Sequence, residues 1–165
     1  MVIWIYGLSG SGKTTLANAL YSALRPSFPR LILLDGEDLR AVVPHIGYDE
    51  LDRTEMGEIK CRLAALLARQ ECSVILTGIS WRPTDAKMVP DYFSIFLDVP
   101  VSECARRKPT GLYAGTDRNI VGIDLEYRRP VNPNVTITAA DQAKGIRHCV
   151  DMVLAWSCIS GSRDA

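Results

Sequence analysis

Val2-Ile3-Trp4-Ile5-Tyr6-Gly7-Leu8-Ser9-Gly10-Ser11-Gly12-Lys13-Thr14 is the stretch that decides the fold. Its first five residues are β-formers with no polar interruption, as expected of a strand buried on both faces. Its last eight match G-x-x-x-x-G-K-[ST]. Lys13 to Leu24 then carries Leu16, Leu20 and Leu24 on one helical face, and Pro26 ends that helix. Strand, glycine loop and helix in this order form a phosphate-binding turn. The glycines let backbone N–H groups face phosphate oxygens, and the helix N-terminus adds its positive dipole end. Gly7, Ser9, Gly10, Ser11, Gly12, Lys13, Thr14 and Thr15 are therefore the expected contacts of a nucleotide triphosphate. Lys13 should reach the β and γ phosphates, and the Thr14 hydroxyl should sit on Mg²⁺.

Beyond the loop, strands and helices alternate. Leu31–Leu34, Ser73–Thr77, Phe93–Leu97 and Val135–Thr138 read as further strands. Glu50–Arg69 reads as a long helix with Ile59, Leu63 and Leu66 or Leu67 facing inward. Val101–Arg107 reads as a short helix, and Ala139 to Trp156 as a closing one. This alternation predicts an α/β sandwich around a five-stranded parallel sheet with right-handed crossovers. Residues 109–133 fit neither pattern and are expected to form a lid. The 165 residues make one domain, able to bury roughly two-thirds of the unfolded surface.

Lys plus Arg and Asp plus Glu both number 19, so the net charge is zero. Bulk charge therefore draws the chain neither to a nucleic acid polymer nor to an anionic membrane. No segment resembles a signal peptide or a membrane span, so a cytoplasmic location is expected. The five cysteines, Cys61, Cys72, Cys104, Cys149 and Cys158, lack metal-ligand spacing and read as structural thiols.

Asp35-Gly36-Glu37-Asp38-Leu39-Arg40 follows the second strand directly. Ligands of open parallel sheets gather beyond the carboxyl ends of the strands, which brings Asp35 and Glu37 to the phosphate loop. Such carboxylates can hold a hydrated metal and accept the proton of an attacking hydroxyl. An ordinary turn with Asp38 capping a helix is the competing reading. The chain has no N-K-x-D guanine element and no Gly-Gly-Gly stretch, which favours a small kinase over a switch GTPase or a shikimate-type enzyme.

The segments GLSGSGKTT (7–15), LDGEDLR (34–40), GYDELDR (47–53), Ile79-Ser80, IFLDVP (95–100), C-x-x-R-x-P-x-G-L-Y (104–113), G-I-D-x-x-Y (122–127) and Asn132-Pro133 resemble the adenylylsulfate kinase (APS kinase) family. The resemblance runs to about Ile137. It implies a P-loop kinase sandwich that moves the γ-phosphoryl of Mg·ATP to the 3′-hydroxyl of adenosine 5′-phosphosulfate. Asp35 and Glu37 fall on the family's two acids, near metal and the acceptor hydroxyl. Arg40 and Arg53 match the arginines that hold the acceptor's 5′-phosphosulfate, and Tyr48 matches the aromatic stacked on its base. Ile79 and Ser80 fall in the acceptor site, and Arg107 near the donor nucleotide. Gly111, Gly122 and Asp124 would shape the lid. Family members are often dimers, so a homodimer is a state the resemblance allows.

Departures from the pattern concentrate at the acceptor end. Glu37 replaces an Asp, and Met56 an Asn. The family's F-T-G-I-D is Ile120-Val121-Gly122-Ile123-Asp124, which puts Ile120 where a second base-stacking aromatic is usual. Lys108 replaces an Asp, and the loop before Gly122 is shorter. Base–aromatic stacking is worth about 1–3 kcal/mol, enough to shift base preference. The sequence therefore carries three readings: an adenylylsulfate kinase, a relative acting on another nucleotide conjugate such as cytidine 5′-diphosphoramidate, or a non-catalytic nucleotide-binding protein.

Overall fold

The computed structural model describes residues 1–79, 82–89, 91–108, 113 and 119–160, excepting the side chains of 142–144 and 159–160. Ser80 and Gly111, both expected at the site, lie outside the described residues, as does much of 109–118.

The elements in chain order are β1 (Val2–Gly7), α1 (Lys13–Leu24), β2 (Leu31–Leu34), α2 (Gly36–Val42), α3 (Glu50–Arg69), β3 (Ser73–Gly78), α4 (Pro83–Met88), β4 (Tyr92–Asp98), α5 (Val101–Arg107), β5 (Val135–Thr138) and α6 (Gln142–Ser160). The strands form one sheet in the order β2-β3-β1-β4-β5, and every pair is parallel. β1 is central, flanked by β3 and β4. All six of its residues are buried, which explains its unbroken apolar run.

Strand alternation divides the core into two layers. Ile3 and Ile5 face Leu16, Ala17 and Leu20 of α1 and Cys149 and Val153 of α6. Trp4 and Tyr6 face the other way, toward Cys61 and Ala64 of α3. Side chains fully removed from water in this way stabilise by roughly 1.5–3 kcal/mol each. The three layers are those the sequence predicts.

Three details differ from expectation. The short helices α2 and α4 leave no apolar period; α2 has no buried residue at all. Its cap is Asp35, whose carboxylate accepts from Glu37 N, rather than Asp38. α3 packs Leu63 and Leu67 inward as expected, with Leu66 44% exposed, but the buried residues of its inner face are Met56, Cys61, Ala64 and Ala65. Small residues at that face let the helix lie close to the aromatic layer of Trp4 and Tyr6.

α6 starts at Gln142 because Ala139–Asp141 form a turn, closed by Asp141 N donating to Thr138 O and the Thr138 hydroxyl donating to Asp141 Oδ2. Within the predicted lid, the only regular pairing among the described residues is an isolated bridge between Val121 and Leu125. Among the described residues, no helix is long and apolar enough to cross a membrane.

Candidate active site

The carboxyl ends of β1, β2 and β3 open onto one cleft of about 1560 Å³. Ligand pockets commonly measure about 300–1,000 Å³, so this one has room for two nucleotides.

The donor end is built by the turn from β1 to α1. Gly10 and Gly12 have φ of 81° and 100°, the left-handed region that favours glycine. A Cβ at Gly10 would also stand 2.9 Å from Cys104 O, so the loop packs directly on α5. Gly12 is the N-cap of α1 and supplies no side-chain bond, leaving the first-turn amides to a ligand. Lys13 Nζ donates to Leu8 O at 2.8 Å, and the Tyr113 hydroxyl to Ser9 O at 2.8 Å. Ser9, Gly10, Gly12, Lys13, Thr14, Thr15 and Arg107 line the cleft. Gly7 and Ser11 are buried beneath it, close enough that a Cβ at Gly7 would meet Ser11 Oγ. Arg107 is positioned by Glu103, whose Oε1 accepts from its Nε at 2.8 Å. Burial lowers the Lys13 ammonium to about 8, with the positive charge of Lys60 adding to the effect.

The acidic turn meets the loop. Thr14 Oγ1 donates to Asp35 Oδ2 at 2.9 Å while Asp35 Oδ1 caps α2. This hydroxyl and carboxylate are adjacent hard oxygen donors, a pair that suits Mg²⁺. Among the described residues no cluster of three potential ligands exists, so substrate phosphates and water would complete the shell. Asp35 is 5% exposed, whereas the Glu37 side chain is 80% exposed, 3.8 Å from Lys108 Nζ.

Elsewhere in the cleft, Arg40 and Arg53 both lie over the Tyr48 ring, their guanidinium carbons 4.2 and 5.5 Å from its centroid. Arg40 donates to the carbonyls of Ile46 and Gly47, and Arg53 to those of Tyr48 and Asn119. Burial, and then the charge of Arg40, lower the Arg53 pKa. Tyr48 is 56% exposed and Met56 is buried, and both line the cleft with Ile79. Ile120 is placed elsewhere. It is buried, its N–H donates to Asp124 Oδ2 at 2.9 Å, and its neighbour Val121 lines the cleft instead.

Several lining residues escape the sequence reading. Lys60 of α3 donates to Thr77 O at 3.2 Å, and the Thr77 hydroxyl accepts from Gly36 N at 3.0 Å. Arg82 forms a two-bond ion pair with Asp85 and donates to Thr54 O at 2.7 Å. A side chain at Gly57 would collide with that guanidinium. The available signal was the position of Lys60, four residues after Met56 and so on the same helical face.

The adenylylsulphate kinase family model matches residues 1–138. Adenylyl-sulfate kinase of Pseudomonas aeruginosa is 40% identical over 147 residues, covering 82% of this chain and 75% of the relative. Cytidine diphosphoramidate kinase of Campylobacter jejuni is 35% identical over 137 residues, 78% of this chain and 81% of the relative. The solved Mycobacterium tuberculosis APS kinase, in complex with AMPPNP and APS, superposes with a TM-score of 0.80 at 30% identity, covering 92% of this chain and 96% of that one.

Proposed function

Because this chain belongs to the adenylylsulphate kinase family, a family of nucleotide-directed phosphotransferases, we propose that it transfers the γ-phosphoryl of ATP to the 3′-hydroxyl of adenosine 5′-phosphosulfate. The observation that carries this reading is one cleft holding the phosphate loop, the Thr14–Asp35 pair and the Arg40–Tyr48–Arg53 group together.

The acceptor's anionic 5′-conjugate exchanges with the loop carbonyls for the Arg40 and Arg53 guanidiniums, whose planar forks suit such oxyanions. Tyr48 offers its ring to the base. Lys13 and the first-turn amides of α1 hold the β and γ phosphates. Thr14 and Asp35 would hold Mg²⁺, which when bound supplies neutralisation of phosphate charge. Glu37 takes the hydroxyl proton, because its carboxylate is exposed in the cleft while Asp35 is committed to Thr14 and the cap of α2. The acceptor oxygen bonds to the γ phosphorus as the bond to the bridging oxygen breaks. ADP leaves with that electron pair.

A second reading is favoured by Met56 and Val121 on the cleft wall: a kinase for a cytidine 5′-diphosphoramidate, the acceptor class named for the Campylobacter relative. Both side chains offer apolar contact where a base would be read by hydrogen bonds or stacking. Steady-state assays with both acceptors, following ADP and 3′-phosphorylated product, separate the two. Binding of ATP with no turnover of either would support a non-catalytic role.

A further inference from the structure

We infer that Lys60 is a further catalytic residue, an ammonium that contacts the phosphoryl group in transfer from the acceptor side, opposite Lys13. The inference rests on the phosphotransfer reading above.

α3 delivers Lys60 to the carboxyl end of β3, where Nζ donates to Thr77 O at 3.2 Å. Thr77 is 1% exposed, and its hydroxyl fixes Gly36 of the acidic turn. Ideal Cβ positions at Gly36 and Gly78 fall 3.5 and 3.8 Å from Lys60 Nζ. The ammonium therefore lies beside the turn between Asp35 and Glu37, where a side chain at position 36 would touch it. It lines the same cleft as Lys13, Asp35, Glu37 and Arg40.

The charge at this place has little to balance it. Lys60 has one carbonyl partner, and among the described residues no carboxylate lies within 4.0 Å of it. Burial lowers its pKa; Cys61, Asp85 and Asp35 oppose this only in part, and Arg40 adds to it. A desolvated cation without an anion is unfavourable, and an arriving anion removes that cost. Tethering α3 to β3 would need only a neutral donor. Preorganised cations aimed at charge that develops in the transition state are the larger part of phosphoryl-transfer catalysis.

In the step, the acceptor 3′-oxygen bonds to the γ phosphorus and the bond to the β–γ bridging oxygen breaks. ADP takes the electron pair, and the hydroxyl proton goes to Glu37. Lys60 neutralises the equatorial oxygens from the acceptor side, as Lys13 does from the donor side.

The test uses Lys60→Met, Lys60→Gln and Lys60→Arg in the full chain. With an acceptor the wild type turns over, the Met and Gln variants should lose about 100- to 1000-fold in kcat, the range for one oriented donor. Their KM for ATP should stay within about twofold, and Lys60→Arg should recover part of the rate. Calorimetry without acceptor provides the second arm: Mg·ADP alone, then Mg·ADP with fluoroaluminate, a mimic of the phosphoryl in flight. The variants should bind ADP as wild type does and lose the gain from fluoroaluminate. Unchanged kcat or an undiminished fluoroaluminate gain overturns the inference. So does parallel loss of ADP affinity and melting temperature in all three variants, which is the signature of a structural role. Absence of wild-type turnover with every acceptor would reject the phosphotransfer reading instead, while the calorimetric arm still judges Lys60.

Discussion

The Thr14 hydroxyl donates a 2.9 Å hydrogen bond to Asp35 Oδ2, joining the phosphate loop to the acidic turn 21 residues away. The same carboxylate caps α2 through its other oxygen. Asn is as good a cap as Asp, so Asp35→Asn should cost less than about 1 kcal/mol of stability. It should nevertheless raise the magnesium concentration needed for half-maximal rate and lower kcat by tenfold or more (roughly, for a lost charged metal partner). Magnesium titrations of rate beside thermal unfolding check both. A wild-type magnesium response in Asp35→Asn would remove that residue from the metal's surroundings.

The pKa of the Lys13 ammonium is lowered to about 8, chiefly through burial. Only its protonated form attracts phosphate, so affinity for ATP should be flat below that pH. Above it, affinity should fall toward tenfold per pH unit as the cation is lost. Lys60 is the second cause of the depression, so Lys60→Met should move the break upward. Titration of a fluorescent ATP analogue from pH 6 to pH 10 reads the break directly.

Arg82 and Asp85 form an ion pair whose side chains are 14% and 3% exposed, against the surface that Gly57 leaves open. Removing one partner strands the other charge. Asp85→Asn should cost about 3–5 kcal/mol, while replacing both residues with methionine should cost far less. Urea midpoints of the single and double variants decide it, and a single variant as stable as wild type would contradict the burial described.

Tyr48 carries a guanidinium over its ring from each of Arg40 and Arg53, the arginines proposed to hold the acceptor. Tyr48→Ala should raise KM for the acceptor by about 5- to 150-fold, the equivalent of 1–3 kcal/mol of stacking, with KM for ATP little changed. Tyr48→Phe should be near neutral. Ile120→Phe, in contrast, adds volume to a buried position away from the cleft wall. It should lower stability by about 1–3 kcal/mol and leave base preference unchanged. Denaturation together with paired acceptor kinetics tests both positions.

The sheet and the donor end were legible because each rests on a local pattern. β1 is uniformly apolar since helices cover both of its faces, and the left-handed angles of Gly10 and Gly12 are those a glycine loop permits. α2 and α4 left no trace because neither buries an apolar stripe; α4 buries only Asp85. Lys60 and Arg82 were silent for another reason. Each becomes a wall of the cleft only through a tertiary neighbour, Thr77 for one and Asp85 under Gly57 for the other. Ile120 shows the reverse limit. Its motif position suggested a base contact, but the hydrogen bond from its N–H to Asp124 belongs to a turn that leaves Val121 on the cleft.

The acceptor assay bears most directly on the central claim. Purified protein with Mg·ATP is given adenosine 5′-phosphosulfate or cytidine 5′-diphosphoramidate, and ADP and the 3′-phosphorylated product are quantified together. Saturable, stoichiometric formation of both products from adenosine 5′-phosphosulfate, abolished by Lys13→Ala in a folded protein, is the predicted result. Turnover of the cytidine conjugate alone, or activity that survives Lys13→Ala, would contradict it.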